Sequence, residues 1–579
     1  MLVLLASMFP MAALAATPAE DLKKLFDDEW EDRMRESPLF ATRLGDHRFD
    51  DQLPSVALAD DARRNQADRA FLERLRAIDR TKLGDGDRLN HDIFGRSLRD
   101  RIADYEQKIY LMPITNREGF HTDFPQLPDR LSLHTTKDYE NYCARLEACR
   151  RYFGQYIEVM REGVKEGYVL PKVVLGGWEG AVDAHIVDDP TQSLLYVPFE
   201  KFPDTVPGSA RAALVARGKK AISDSVVPAY RALHEFMAKE YVPAGRETIG
   251  ASDLPNGKAY YEFRVRYYTT LDLTPQQVHD TGLAEVKRIR AEMDGVIQRI
   301  GFKGSFAEFL EFLRTDSRFY FETPDALIRE VSFICKQMDG QLPTLFKTLP
   351  RMSYGVKPVP DFIAPKTTTA YYDDPNGDGT RAGFYNINLY DLKSRPRYEL
   401  EALSFHEAVP GHHLQIAIMQ ELPDVPNFRR YDWFTAFVEG WGLYSERLGM
   451  ETGFYQDPYS DFGRLTYEMW RAMRLVVDTG MHYFGWTRQQ AIDYMAANGA
   501  LSLHNVTTEV DRYIAWPGQA VAYKIGELKI RELRAYATRE LGGKFDVREF
   551  HDVVLWSGAV PLDVLEANVK SWVERKKKA

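Results

Sequence analysis

Apolar residues recur at helical spacing along most of this chain. A period of three to four residues dominates from Asp60 to Arg161 and from Ala210 to Lys239, which predicts amphipathic helices that each bury one face. Helix starts are marked as clearly. Thr17-Pro18-Ala19-Glu20, Thr274-Pro275-Gln276-Gln277 and Thr487-Arg488-Gln489-Gln490 each place a hydroxyl cap three residues before a Glu or Gln that can reach back to it. The first two add Pro at the first helical position, where a missing N–H costs nothing. The first start predicts a helix through Glu36, and the second a long helix closed by Gly301. The expected fold class is mainly α.

One region breaks the pattern. Thr367 to Tyr372 and Gly383 to Tyr390 are rich in Thr, Tyr, Phe and Ile, and flank the turn-forming run Asp373-Asp374-Pro375-Asn376-Gly377-Asp378-Gly379, which predicts a β-hairpin. That run has alternating oxygen ligands, but it lacks the bidentate Glu that closes a calcium loop. No repeat or low-complexity linker divides the chain. A soft boundary near residues 340–359 separates a helical N-terminal portion, 16–350, from a C-terminal portion, 351–579, that holds the candidate chemistry.

Composition narrows the class. With 579 residues and 44% hydrophobic content, the chain can bury a large core. A net charge of -10 argues against nucleic acid as a partner, since backbone-driven binders present a basic face. Cys143, Cys149 and Cys335 have no Cys-x-x-Cys spacing, and six residues of helix would put Cys143 and Cys149 on different faces. Residues Leu2 to Leu14 are almost wholly apolar, and Ala13-Leu14-Ala15 fits the small-x-small pattern of a leader cleavage site. We therefore expect a signal peptide over residues 1–15, a periplasmic or secreted protein, and no stable membrane insertion once the leader is removed.

The candidate chemistry centres on Phe405-His406-Glu407-Ala408-Val409-Pro410-Gly411-His412-His413-Leu414-Gln415. Zinc hydrolases often carry two His one helical turn apart, because positions i and i+4 share a face and can share a metal. Here His412 follows His406 by six residues, which at ~100° per residue would turn it to the opposite side of a regular helix. Pro410 resolves the conflict. It cannot donate to the His406 carbonyl and clashes with it, and Gly411 tolerates unusual angles, so the helix should bulge or break and return His412 to the metal. The competing ligand is His413, which would share the face of His406 on an intact helix but about 10.5 Å further along it.

A third ligand is expected from a downstream helix. Glu439 lies in Phe434-Thr435-Ala436-Phe437-Val438-Glu439-Gly440-Trp441-Gly442-Leu443-Tyr444-Ser445-Glu446, where an acidic group among apolar neighbours needs a metal or a cation. The alternative is an ion pair of Glu439 with Arg471 or Arg474. Glu446, two turns on, can support the site from behind. Glu407 adjoins a ligand and is the candidate general base, taking a proton from water and passing it to the leaving group. The expected cofactor is Zn2+.

These segments, with Trp516-Pro517-Gly518-Gln519-Ala520-Val521-Ala522-Tyr523-Lys524-Ile525-Gly526-Glu527, resemble the bacterial family catalogued as domain of unknown function 885. That family is in turn similar to gluzincin oligopeptidases such as thimet oligopeptidase. In those enzymes the second His follows a Gly, as His412 follows Gly411, and the ligand carboxylate sits in a Phe-Val-Glu context, as Glu439 does. Their spacing between the two His is two residues shorter. The resemblance implies a large helical, zincin-like clamshell with a small hairpin or sheet beside the metal helix. It implies a metallopeptidase acting on short peptides, with a strand at Gly383 to Tyr390 holding the substrate backbone. It also makes Tyr523 the candidate donor to the tetrahedral oxyanion. Tyr523 as a core aromatic is the competing reading. His482, Gln519 and Tyr385 are further candidates, for substrate contact or, in the case of His482 and Gln519, for the oxyanion donor. Two other functions fit the same residues: a metal-dependent amidase or esterase on a non-peptide substrate, and a catalytically silent exported binding protein.

Overall fold

The computed structural model describes residues 17–361, 364, 367–376, 379 and 381–578. The leader expected over residues 1–15 lies outside them. The fold is mainly helical, and the three capping boxes are formed. Thr17 accepts from the Glu20 N–H while the Glu20 carboxylate accepts from the Thr17 N–H at 2.8 Å, opening α1 (Pro18–Glu36). A further capped helix, α2 (Thr136–Glu166), is 31 residues long. The periodic stretch from Asp60 to Arg161 is broken between Arg76 and Asp85 and again between Glu106 and Thr136, where only short helical pieces such as Ile109–Leu111 and Phe120–Asp123 form. The stretch from Ala210 to Lys239 stays helical but widens into π turns at Ile222–Val226 and Met237–Tyr241. Each widened turn runs into a helix with Pro in its first turn, where the missing N–H breaks the ordinary ladder.

The helices that place the site follow. α3 spans Gly257–Thr269, and α4, Pro275–Ile300, ends at Gly301 with φ 78° as its cap pattern predicts. α5 is Leu400–Glu407, α6 His412–Gln420, α7 Thr435–Leu448, α8 Pro458–His482, α9 Leu503–Ala515 and α10 Ala522–Leu541. α8 is buried on every side from Phe462 to Ala472 except at Trp470. It stands between two hydrophobic cores, turning Tyr467 and Leu475 to one and Phe462, Met469, Met473 and Val476 to the other. α4 lies along it, so N-terminal helices pack directly into the C-terminal portion. Cys143, Cys149 and Cys335 are buried free thiols in these cores.

Between the helices sits a three-stranded sheet in the order β1-β3-β2, with β1 Tyr354–Pro358, β2 Ala370–Asp373 and β3 Gly383–Ile387. The predicted hairpin is the antiparallel pair β2 and β3, registered Tyr372 to Tyr385. β1 adds in parallel, Val356 to Tyr385. It was not foreseen, because Tyr-Gly-Val-Lys-Pro lacks the β-branched alternation that marks a strand. Its presence corrects the expectation for the 383–390 strand: β3 is central, both its edges are taken, and it has none left for a substrate backbone.

α10 is held by two features. Its Gly526 crosses α7 at Gly440 so closely that a Cβ on Gly526 would stand 1.8 Å from the Ala436 carbonyl oxygen. Its Lys524 is fully buried between Glu285 of α4 at 3.1 Å, Glu468 of α8 at 2.8 Å and Glu527 at 2.9 Å. Burial alone would push that ammonium down, but the carboxylates more than offset it and hold it above its ordinary value. An ion cluster of this kind contributes little net stability, yet it penalises any other register of α10. We expect Gly526→Ala to cost about 1–3 kcal/mol by forcing α7 and α10 apart. Urea unfolding measures it, and a cost below about 0.5 kcal/mol, the range of a neutral surface substitution, would contradict this packing.

Candidate metal centre

The helix break foreseen at Pro410 is present. α5 stops at Glu407, Ala408 and Gly411 take ψ near -112° and -127°, and α6 starts at His412. A Cβ on Gly411 would lie 2.0 Å from the His406 carbonyl oxygen, so only glycine lets the chain double back here. The turn is fastened from α7. The Pro410 carbonyl accepts from Trp441 Nε1 at 2.8 Å and from Ser445 Oγ at 3.3 Å.

That fold-back brings His406 and His412 together, with ring centroids 4.6 Å apart and planes nearly perpendicular. Their Nε2 atoms each stand 3.5 Å from one oxygen of Glu439 on α7. All three ligand atoms lie within 4.8 Å of one another. Ligands ~2.0–2.1 Å from a tetrahedral zinc ion stand about 3.4 Å apart, so the spacing and the N2O donor set both fit. His412 Nδ1 is buried with no hydrogen-bond partner among the described residues.

His406 is oriented from behind. Its Nδ1 lies 2.8 Å from Glu446 Oε1, which also meets Arg471 Nη2 at 3.2 Å. This is the carboxylate–imidazole pairing that fixes the tautomer and aim of metal-ligating histidines. Gly442 supports the ring face, and a Cβ there would come within 2.8 Å of it. Burial by itself would push His406 down; the carboxylates of Glu439 and Glu446 more than offset it, raising it to about 9 in the metal-free site. Glu439 is driven the other way. Burial would raise its carboxyl, but the two imidazoles hold it far below the usual range. Its partners are therefore the histidines; Arg471 goes to Glu446, and Arg474 to Glu509 at 3.3 Å.

The other candidate residues divide. Glu407 is half-buried beside His406. His413 is turned away, its Nδ1 2.8 Å from the Tyr372 hydroxyl and its Nε2 3.2 Å from the Met352 carbonyl. Tyr523 is half-buried, one turn before Gly526, which packs against Gly440 beside Glu439; burial, then the charge of Glu439, pushes its phenol up. Gln519 donates to the Tyr523 hydroxyl at 3.3 Å. Two candidates belong elsewhere. His482 is fully buried, accepting the Ala251 N–H at Nδ1 and facing the Tyr513 carbonyl with Nε2, so both ring nitrogens brace backbone. Tyr385 is fully buried on the central strand and so has no surface for substrate. Trp441, Ser445 and Gly442 were missed, because their contacts join segments far apart in sequence, and Arg471, expected as a rival partner of Glu439, pairs with Glu446 instead. The Asp-rich run at 373–379 lies partly outside the described residues.

A family model described as "Bacterial protein of unknown function (DUF885)" matches residues 38–569. The chain belongs to this family. No curated protein matches it. Among solved structures, a candidate lipoprotein from Colwellia psychrerythraea is 29% identical, with a TM-score of 0.91 over 97% of this chain and 100% of that one. A candidate lipoprotein of unknown function from Shewanella oneidensis is 18% identical, with a TM-score of 0.69 over 96% and 99%. The fold described above is thus a DUF885 fold.

The two fully buried histidines outside the cluster, His482 and His551, should add to the acid sensitivity of this DUF885 protein. Burial pushes His482 down to about 4, and His551, held between Leu345 and Tyr444, to about 3. The unfolded chain protonates each near the ordinary 6.5, while the folded chain resists until those lower values. Stability is therefore full above pH 6.5 and falls as the pH drops towards 4. By pH 5 each histidine should have removed about 2 kcal/mol. In urea unfolding at pH 8 and 5, His482→Gln should shrink the difference by that amount; an unchanged difference would contradict a neutral buried imidazole.

Proposed function

We propose that this protein is a zinc-dependent hydrolase that cleaves short peptides. The observation that carries the reading is the placement of two imidazole Nε2 atoms 3.5 Å from one Glu439 oxygen, next to a half-buried Glu407 with no structural ion pair among the described residues. Bound zinc would supply a Lewis acid that polarises the scissile carbonyl and acidifies water. His406, His412 and Glu439 would hold it. Glu407 takes the proton from the attacking water and delivers it to the leaving nitrogen. Tyr523 donates to the oxygen on which negative charge develops.

A peptide fits the surroundings. Asn388 N–H donates to the Thr369 carbonyl, so by antiparallel alternation the backbone groups of Tyr372 face away from β3. The Tyr372 side chain also bonds His413, next in sequence to His412, so this outer edge belongs to the strand tied to α6. An extended substrate pairs with such an edge through main-chain bonds. β2 thus takes the part expected of the 383–390 strand. The resemblance to gluzincin oligopeptidases supports the same substrate class and a clamshell arrangement of the helices. The apolar leader and the description of both solved relatives as candidate lipoproteins support a periplasmic, secreted or envelope-attached location.

The test is elemental analysis with a chelator-sensitive digest of a short-peptide library. We expect about one zinc per chain, lost in His406→Ala, His412→Ala and Glu439→Ala and kept in His413→Ala. Glu407→Gln should keep the metal and lower kcat on the order of 10²–10⁴-fold. Metal retained in His412→Ala but lost in His413→Ala would overturn the ligand set. Near-normal turnover in metal-loaded Glu407→Gln would overturn the base.

A further inference from the structure

Two of the groups against Tyr523 can only donate, and that asymmetry has a consequence for its hydrogen. Arg512 Nη1 lies 2.9 Å from Gln519 Oε1. A guanidinium has no acceptor, so the Gln519 amide must turn its oxygen to Arg512 and its NH2 to the Tyr523 hydroxyl at 3.3 Å. The NH2 cannot accept either. The phenol oxygen is therefore the acceptor in that bond, and its own hydrogen has to leave in another direction. Arg474, stacked on the ring with its guanidinium carbon 4.4 Å from the centroid, offers no acceptor. Tyr523 lies one turn before Gly526, which packs against Gly440 beside Glu439, so the acceptor on that side is the carboxylate whose charge also helps to hold the phenol up. The assembly is braced on every side. Arg512 is bonded twice to Glu509, at 3.1 and 3.2 Å, and Glu509 also holds Arg474. The Gly518 N–H, at the turn before Gln519, donates to Asp478 at 3.1 Å, which also accepts from Tyr261 at 2.5 Å.

We propose that Arg512 and Gln519 are positioning residues that aim the Tyr523 hydroxyl hydrogen away from the α9–α10 turn and towards the His406–His412–Glu439 cluster. Gln519 is then no substrate contact, and Arg512 acts through it. The inference rests on the hydrolase reading for its catalytic consequence, but not for the direction of the hydrogen.

Gln519→Glu tests it. A carboxylate keeps the partner for Arg512 but can only accept, so it captures the Tyr523 hydrogen. Gln519→Met removes the lock without capturing anything. On one peptide substrate, kcat should fall on the order of a hundredfold in Gln519→Glu, with KM little changed. Gln519→Met should lose less, because the hydroxyl is left free to rotate. In a Tyr523→Phe background, Gln519→Glu should cost nothing further. Losses that add in the double variant, or a Met variant as impaired as the Glu variant, would mean that Gln519 only holds the turn together, and would overturn the proposal. A second readout needs no turnover. In protein labelled with 13C at tyrosine Cζ, the signal absent from Tyr523→Phe should shift in Gln519→Glu at neutral pH as the phenol changes from acceptor to donor. An unmoved signal overturns the assignment. A moved signal in a protein that cleaves no peptide keeps the assignment and rejects the hydrolase.

Discussion

The Pro410 carbonyl, fastened 2.8 Å from Trp441 Nε1, is the contact on which the candidate site depends. A proline between two histidines would otherwise leave them on unrelated faces of a broken helix. Because α7 grips the break, the two imidazoles return to one point. The same helix offers that point a carboxylate from Glu439, a bare backbone at Gly442 for the His406 ring, and Glu446 to aim it. Positions 439, 442 and 446 fall three and four residues apart, which is one face of a helix. A single rigid element thus supplies the third donor, the seat and the rear support, while 441 and 445 hold the turn.

The surrounding charge follows from that arrangement. Several charged groups on the helices around the cluster are paired: Glu446 with Arg471, Glu509 with Arg474 and Arg512, Lys524 with Glu285, Glu468 and Glu527. Such networks rarely add much stability, but they are expensive to mispair. Their effect is to make the relative placement of α7, α8, α9 and α10 a matter of hydrogen-bond geometry as well as packing. Tyr523 inherits its place from Lys524 on one side and from Gln519 on the other.

Much of this was legible in the sequence, where the signals are local. The capping boxes at Thr17, Thr274 and Thr487 act within four residues, and so does the clash that breaks the helix at Pro410. The hairpin announced itself by composition, and Glu446 by lying two turns from Glu439. What could not be read was long-range. β1 pairs across more than twenty residues, and only its presence makes β3 central, with β1 and β2 as the outer strands. His482 looked chemically available until Ala251 and Tyr513 claimed both its nitrogens. His413 was a rival ligand until Tyr372 and Met352 took it. In each case a distant backbone or side-chain group, invisible to periodicity, decided the role.

The central claim is that the fold-back at Pro410 builds a three-ligand metal site from His406, His412 and Glu439. Anomalous diffraction at the zinc edge, from crystals grown with zinc, tests it most directly. The account predicts one strong peak within bonding distance of both Nε2 atoms and a Glu439 oxygen, with His413 still bonded to Tyr372. A peak coordinated through His413, or none between the three residues at saturating zinc, would contradict it.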